Sequence, residues 1–306
     1  MNERNILVVA HAGREDTVWA AHRVVEALRG AGAHPVLPAE DSVDLTAVDP
    51  LFADVDVLGE NIRQAELELA VVLGGDGTIL RAAELVRGCD APVLGINMGH
   101  VGFLAEIDRD DMDDAMRRVI ARDYGVEERL ALSVRVKDAE GAVIYETWAL
   151  NEATVEKASR ERMIEVVLEI DGLPLSSFGC DGMVVSTPTG STAYNFSAGG
   201  PVIWPGVEAI SVVPLSAHAL FAKPLVVSPD AAVAIEMLEG TSGSGILWCD
   251  GRRSHDLPPG ARVVVRRSSR PVRLARLHQA EFTNRLVRKF QLPVAGWRGQ
   301  TEGSQS

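Results

Sequence analysis

Leu67-Glu68-Leu69-Ala70-Val71-Val72-Leu73-Gly74-Gly75-Asp76-Gly77-Thr78-Ile79-Leu80-Arg81 begins as a near-continuous apolar run, turns on glycines and resumes at helical spacing. Such a run predicts a parallel strand buried on both faces. A helix over 78–87 follows, ended by Gly88. Glycines let the backbone turn sharply and bring its N–H groups against a ligand with no Cβ in the way. The helix start adds about half a positive charge and free donors, which suits phosphate. A carboxylate in an anion site is repulsive, so Asp76 needs a reason to be there. Three readings stand open: it accepts a hydrogen bond from a hydroxyl, holds a cation, or caps the helix. Arg81, four residues beyond Gly77, lies on the same helix face one turn in, where its guanidinium either reaches back to the anion or is solvated. The stretch is neither GxxxxGK[ST] nor the GxGxxG dinucleotide fingerprint.

The same grammar runs through the first third. Residues 5–10 read as a strand, 15–29 as a helix with Val18, Ala21, Val24, Val25 and Leu28 on one face, and 35–38 as a short strand. The Asp-rich stretch 42–64 reads as a mobile connection with one helical turn. A strand over 92–96 and a helix over 110–122 complete an open, mostly parallel sheet with helices on its faces. After residue 127 the runs become short, β-branched and turn-bounded, at 131–136, 142–148, 164–170, 183–186, 232–237, 245–248 and 261–265, with a hairpin turn at Asp171-Gly172. The fold class is therefore an α/β N-terminal domain with an open, mostly parallel sheet, followed by a β-rich C-terminal domain. The expected boundaries are 1–126, 127–276, a C-terminal helix in 277–296 with Phe282, Leu286, Val287 and Phe290 on one side, and a disordered polar tail over 297–306. Two domains also suit a chain of 306 residues.

Composition narrows the function. A hydrophobic share of 46% and a charged share of 24% are those of a soluble globular protein. No apolar run reaches the roughly 18 residues of a membrane span, and no secretory signal opens the chain. Cys89, Cys180 and Cys249 are scattered, as expected of reduced thiols in a cytoplasmic protein. A net charge of −13 argues against nucleic acid. A phosphate site on such a chain must carry its own local positive potential.

Further chemistry sits in the second domain. Asn151-Glu152 sets a carboxamide beside a carboxylate at a strand end, offering the donors and acceptors that a base edge and a ribose require. Ser186 to Ser197 holds seven hydroxyl side chains within twelve residues, which suits many neutral hydrogen bonds to a polar ligand. Tyr194 offers a face to an aromatic base. His218 reads as structural, Asp250-Gly251 as a β-turn, and the arginines from 252 to 276 as the wet side of an antiparallel sheet.

These blocks, in this order, resemble the NAD kinase family. A lone GGDGT is shared with diacylglycerol, sphingosine and related sugar kinases, but together with TPTGSTAYxxSAGGP at 187–201 it is highly specific. The resemblance covers nearly the whole chain, continuing into 225–227 and 282–293. It implies a two-domain NAD kinase-like fold whose last helix packs back on the first domain, with NAD in the cleft. It implies phosphoryl transfer from ATP, and in some members from inorganic polyphosphate, to the 2′-hydroxyl of the adenosine ribose of NAD, giving NADP. By position, Asp76 is the catalytic aspartate, with Gly77 and Arg81 holding that end. Asn151 and Glu152 bind the adenosine portion; Asp181, Thr192, Ala193, Tyr194, Asn195 and Ser197 complete the NAD site, with Arg162 as a further candidate. Mg²⁺ or another divalent metal accompanies the donor, no metal ligands being expected of the protein itself, and a homodimer or homotetramer is implied. Ala217-His218-Ala219 and Lys223 depart from the family's usual Pro-His-Ser or Pro-His-Thr and arginine, which leaves the role of the His218 region open. The competing readings are another GGDGT kinase of lipids or small molecules, disfavoured by the hydroxyl-rich block, and a non-catalytic NAD-binding regulator.

Overall fold

Alternating buried strands and amphipathic helices build the first half of the molecule. The computed structural model describes residues 4–99, 102–105, 107–159, 162–240, 243–277 and 282–294, so the expected tail at 297–306 lies outside the described residues. The chain divides into two units, Met1–Glu127 with Arg273–Ser306, and Glu128–Val272.

The first unit runs β1 (Asn5–Ala10), α1 (Glu15–Gly30), β2 (His34–Leu37), α2 (Ala39–Val48), β3 (Asp56–Val57), β4 (Leu67–Leu73), α3 (Asp76–Leu85), β5 (Val93–Asn97), β6 (Ile107–Asp108), α4 (Met112–Ala121) and β7 (Gly125–Arg129). Strands β3-β2-β1-β4-β5 are neighbours in that order and pair in parallel, with β6 parallel to β5. Every residue of β1 is buried, and the register runs from Ile6 opposite Leu69 to Ala10 opposite Leu73. Helix α1 buries Val18, Ala21, Val24, Val25 and Leu28, the stripe its spacing predicts. The stretch 42–64 is not a mobile connection. It holds most of α2, a 3₁₀ turn at Pro50–Asp54 and β3. Leu45 and Phe52 are fully buried, and the Asp49 carboxylate accepts the Leu51 N–H at 2.9 Å to cap the turn. Two anchors that far apart hold the segment but produce no periodicity to read.

The second unit is two six-stranded sheets whose registered pairs are all antiparallel. Its elements are β8 (Leu132–Lys137), β9 (Val143–Ala149), β10 (Glu152–Lys157), β11 (Ile164–Ile170), β12 (Leu173–Cys180), β13 (Gly182–Ser186), α5 (Tyr194–Ser197), β14 (Ile210–Leu215), β15 (Leu225–Val227), β16 (Val233–Met237), β17 (Gly245–Cys249), β18 (Arg253–Leu257) and β19 (Arg262–Arg267). One sheet is ordered β15-β14-β13-β10-β17-β18 and the other β12-β11-β16-β19-β8-β9. Alternate residues of both, among them Val134, Val155, Val166, Val212, Ile235, Leu247 and Val263, share a single core. Asp171 and Gly172 take φ of 55° and 80°, the left-handed pair that a tight hairpin turn requires. The chain then returns to the first unit as β20 (Val272–Arg276), parallel to β5, and α6 (Phe282–Phe290).

Of the arginines from 252 to 276, Arg252, Arg266, Arg267 and Arg270 are exposed as expected, whereas Arg253, Arg262, Arg273 and Arg276 are partly buried. Arg262 pairs with Glu169 and Glu236, Arg267 with Glu208, Arg273 with Asp90 and Arg276 with Glu127. The carboxylates that engage Arg262 stand on β11 and β16, and β20 belongs to the parallel sheet.

Candidate active site

In open α/β sheets ligands bind outside the carboxyl ends of the strands where strand order reverses. Here β1 connects towards β2 and β4 towards β5, so the reversal lies between β1 and β4. The glycine turn is the carboxyl end of β4. Gly75 is the N-cap of α3 in an extended conformation, and Asp76 is the first residue of the helix. Asp76 does not cap α3. Its carboxylate is gripped from outside the helix instead, Oδ2 accepting the Phe103 N–H and Oδ1 the Leu104 N–H, each at 3.0 Å. The fit leaves no room at Gly102, where an added Cβ would lie 2.3 Å from Asp76 Oδ1. Gly75 and Gly77 are exposed, so the first N–H groups of α3, which have no partner within a helix, face solvent-accessible space. Each carboxylate oxygen has lone-pair capacity left for a hydroxyl.

Arg81 is turned elsewhere. Its Nη1 lies 2.7 Å from Asp41 Oδ1 and its Nη2 3.3 Å from Glu40 Oε2, tying α3 to α2. Asp41 is buried, and its Oδ2 accepts the Ala10 N–H at 3.2 Å. Burial pushes the Asp41 carboxyl up while the Arg81 hydrogen bond and charge oppose it. Neither a solvated arginine nor one reaching towards the glycine turn describes this side chain.

In the second unit, Asn151 and Glu152 stand where β9 passes into β10, and both are buried. The Asn151 carbonyl accepts the Thr187 N–H at 2.9 Å. Gly190 packs so close that an added Cβ would lie 2.0 Å from the Asn151 carbonyl oxygen. Burial pushes the Glu152 carboxyl up to about 8, the Asp250 charge adds to the rise, and a hydrogen bond from the Tyr194 backbone N–H opposes it. Glu152 Oε2 is buried with no hydrogen-bond partner. Asp250, read above only as part of a turn, has a φ of 55° and a carboxylate that accepts the Leu150 and Asn151 N–H groups at 3.0 and 2.7 Å.

The Glu152 shift has a measurable sign. Between 4.5, its ordinary value, and about 8 the folded chain holds a proton there that the unfolded chain has released. That contribution to stability is complete below the lower value and is lost as pH rises through the upper one. The wild type is therefore expected to lose stability relative to Glu152→Gln across this window, read as urea midpoints for both proteins. Parallel pH profiles would overturn it.

The segment 187–201 is built differently from the expected array of ligand-facing hydroxyls. Thr187 Oγ1 donates to the Leu150 carbonyl at 2.6 Å and accepts the Gly190 N–H. Ser191 Oγ bonds to the Pro188 and Ile203 backbone, and Thr192 Oγ1 to the Thr189 carbonyl. Asn195 is fully buried, donating to the Ser191 and Pro201 carbonyls and accepting from Ser211 Oγ. These groups hold the loop in shape. Of the predicted residues here, Tyr194 and Ser197 are exposed and Thr192 and Ala193 half-buried. Tyr194 hydrogen-bonds Glu156, and burial first, then the Glu156 and Glu152 charges, raise its hydroxyl above the usual value.

Asp181 lies between β12 and β13, with Lys157 Nζ 2.5 Å from Oδ1. That hydrogen bond holds its carboxyl below the ordinary range despite partial desolvation. Lys157 had no signal in the sequence beyond its place at a strand end. Arg162 is exposed just before β11. The His218 backbone N–H donates to the Gly179 carbonyl at 2.9 Å, which sets the residue near Asp181.

Comparison with known proteins gives concordant results. Residues 6–124 match the ATP-NAD kinase N-terminal domain and residues 150–277 the ATP-NAD kinase C-terminal domain. An NAD kinase of Leifsonia xyli subsp. xyli is 66% identical, covering 97% of each chain. One of Thermobifida fusca is 56% identical over 97% of this chain and 92% of its own. Among solved structures, yeast NADH kinase complexed with NADH superimposes with a TM-score of 0.84 at 20% identity, covering 99% of this chain and 90% of that one. An NAD kinase from Archaeoglobus fulgidus in complex with ATP gives 0.69 at 25% identity, covering 95% of this chain and all of that one.

Proposed function

The chain belongs to the NAD kinase family and phosphorylates NAD with ATP, and we propose that Asp76 is the residue that receives the 2′-hydroxyl of the adenosine ribose. The support is the double backbone grip on its carboxylate at the carboxyl end of β4. A carboxylate fixed through both oxygens can accept the hydroxyl in one orientation and take its proton late. Phosphoryl transfer asks little more of a protein group, because its transition state is loose and depends on positioning and charge neutralisation. The exposed start of α3 supplies N–H donors and a local positive potential on a chain of net charge −13.

Asn151 and Glu152 bind the adenosine portion in this reading, supported by the unpartnered Glu152 Oε2. A Glu152 carboxyl raised to about 8 is protonated near neutral pH and donates to a ribose or base acceptor. Asp181, Arg162 and the exposed faces of Thr192, Ala193, Tyr194 and Ser197 contact the rest of NAD; Gly77 contributes backbone alone. Asn195 and Arg81 act by holding their loop and helix. In this reading Mg²⁺ arrives with the donor, held by its phosphates and water rather than caged by the protein. Bound with the donor, that ion would neutralise charge on the transferring phosphoryl group. Homodimeric or homotetrameric assembly and a cytoplasmic location belong to the same proposal; among the described residues no helix is long and apolar enough to cross a membrane.

The test is NADP formation from NAD with Mg²⁺ and either ATP or inorganic polyphosphate, beside NADH, diacylglycerol and sphingosine as acceptors. NADP formed from NAD with ATP, and no lipid phosphorylated, is expected. Binding of NAD with no NADP from any donor would replace this reading with that of a regulator.

A further inference from the structure

The grip on Asp76 is itself held from the C-terminal helix. The peptide group joining Phe103 to Leu104 donates its N–H to Asp76 Oδ1 at 3.0 Å, and the carbonyl of that same peptide accepts Arg285 Nη1 at 2.8 Å. Because a peptide is planar, its C=O and N–H are fixed in opposite directions. Holding the oxygen therefore aims the hydrogen. A guanidinium on the carbonyl also polarises the N–H at the far end, strengthening its bond to the carboxylate.

Further contacts, from α6 and from β20, hold this segment. The Phe103 ring packs against Phe282 and Phe290, each 5.9 Å between centroids. Arg288 Nη2 lies 3.1 Å from Asp108 Oδ2, at the strand that follows. Arg276 Nη1 donates to the Leu104 carbonyl at 3.3 Å, while its Nε holds Glu127 at 2.7 Å. Behind the segment, Gly95 leaves no space for a Cβ against Ile79 of α3 and the Ala105 backbone, so the loop and the start of α3 are packed as one piece.

We propose that Arg285 is a positioning residue for the reaction, acting from α6 through the Phe103–Leu104 peptide to fix the Asp76 carboxylate. The inference rests on the assignment of Asp76 as the group that receives the ribose hydroxyl. Loss of the Arg285 contact leaves α6 in place through its aromatic residues and Arg288 but frees the peptide to rotate. The expected cost falls on the chemical step and not on NAD binding.

The experiment is a double-mutant cycle with steady-state kinetics on the full chain. Arg285→Ala should lower kcat on the order of 10- to 100-fold, the scale of a small misplacement of a reacting group, with KM for NAD near that of the wild type. Arg285→Lys, which still offers a donor to the carbonyl, should recover part of the loss. In an Asp76→Asn background the same Arg285→Ala change should cost nothing further, because the two act as one unit. An equal loss in both backgrounds, or a raised KM with unchanged kcat, overturns the proposal. Should Arg285→Ala fail to fold, Arg285→Met, which keeps the length but offers no donor, against Arg285→Lys carries the same test, and equal kcat values overturn it. The two readings fail separately: a fully active Asp76→Asn removes the role of Asp76, whereas an inactive Asp76→Asn beside a fully active Arg285→Ala removes only that of Arg285.

Discussion

Asp76→Asn is expected to lower turnover about 100- to 10,000-fold, the range for removing a group that handles a proton in the transition state, while NAD binding stays near that of the wild type. Asparagine keeps the shape of the side chain, so volume and packing change little. Two things are lost together. The amide accepts a proton far less readily than a carboxylate, and its NH₂ must face a backbone N–H, because both Asp76 oxygens are acceptors in the native grip. The conflict loosens the clamp at the point where the hydroxyl is received. Isothermal titration of NAD separates this from a binding defect, since the side chains assigned to NAD recognition lie on other elements. A variant that binds NAD and turns over at nearly the wild-type rate would remove Asp76 from the reaction.

The part of this centre that could be read in advance is the part encoded in one stretch of chain. The switch from apolar run to glycines to helical spacing at 67–81 is a local signal, and β4 and α3 lie where it puts them. The grip on Asp76 carries no such signal. Its donors are backbone N–H groups 27 and 28 residues away, and any residue type offers a backbone N–H. Arg81 shows the same limit. Helix geometry gave its face correctly, but its partner Asp41 stands on a helix that the Asp-rich stretch concealed. The block at 187–201 is legible as a motif, but several of its polar side chains serve the backbone. Hydroxyls and glycines in that density look like a ligand cradle, yet Ser191, Thr192 and Asn195 close on the loop's own backbone and Thr187 ties it to the Leu150 carbonyl. Their effect on a ligand is to hold the exposed Tyr194 ring and neighbouring backbone in one arrangement. The polar pair Asn151-Glu152 is visible in the sequence, but the raised proton affinity of Glu152 comes first from burial and then from Asp250, which is brought beside it by a strand pairing.

Asp250→Ala is expected to be the most destabilising of the substitutions considered, by about 3–5 kcal/mol for breaking a buried ion pair from one side. The Asp250 side chain is 1% exposed and lies 2.6 Å from Arg253 Nη2. Both of its oxygens accept the Leu150 N–H at 3.0 Å, and Oδ1 also accepts the Asn151 N–H at 2.7 Å. Removing the carboxylate strands two backbone donors and a largely buried guanidinium. Arg253 cannot simply swing into water, because it also donates to the Trp148 carbonyl at 2.8 Å and stacks on the Trp148 ring at 4.5 Å. A loss of that size is a large share of the roughly 5–15 kcal/mol that holds a typical domain folded. The charge should account for much of it, so adding Arg253→Leu to Asp250→Ala is expected to restore part of the stability, since a buried charge without its partner costs more than an apolar replacement. The same carboxylate fixes the backbone from Leu150 to Glu152, so KM for NAD should rise in whatever fraction of Asp250→Ala remains folded. Urea unfolding of the single and double variants measures the first effect, and kinetics at low temperature the second. An Asp250→Ala protein within about 1 kcal/mol of the wild type, the scale of a single ordinary hydrogen bond, would mean that water replaces the carboxylate and that Leu150, Asn151 and Glu152 are held by the strand pairing alone.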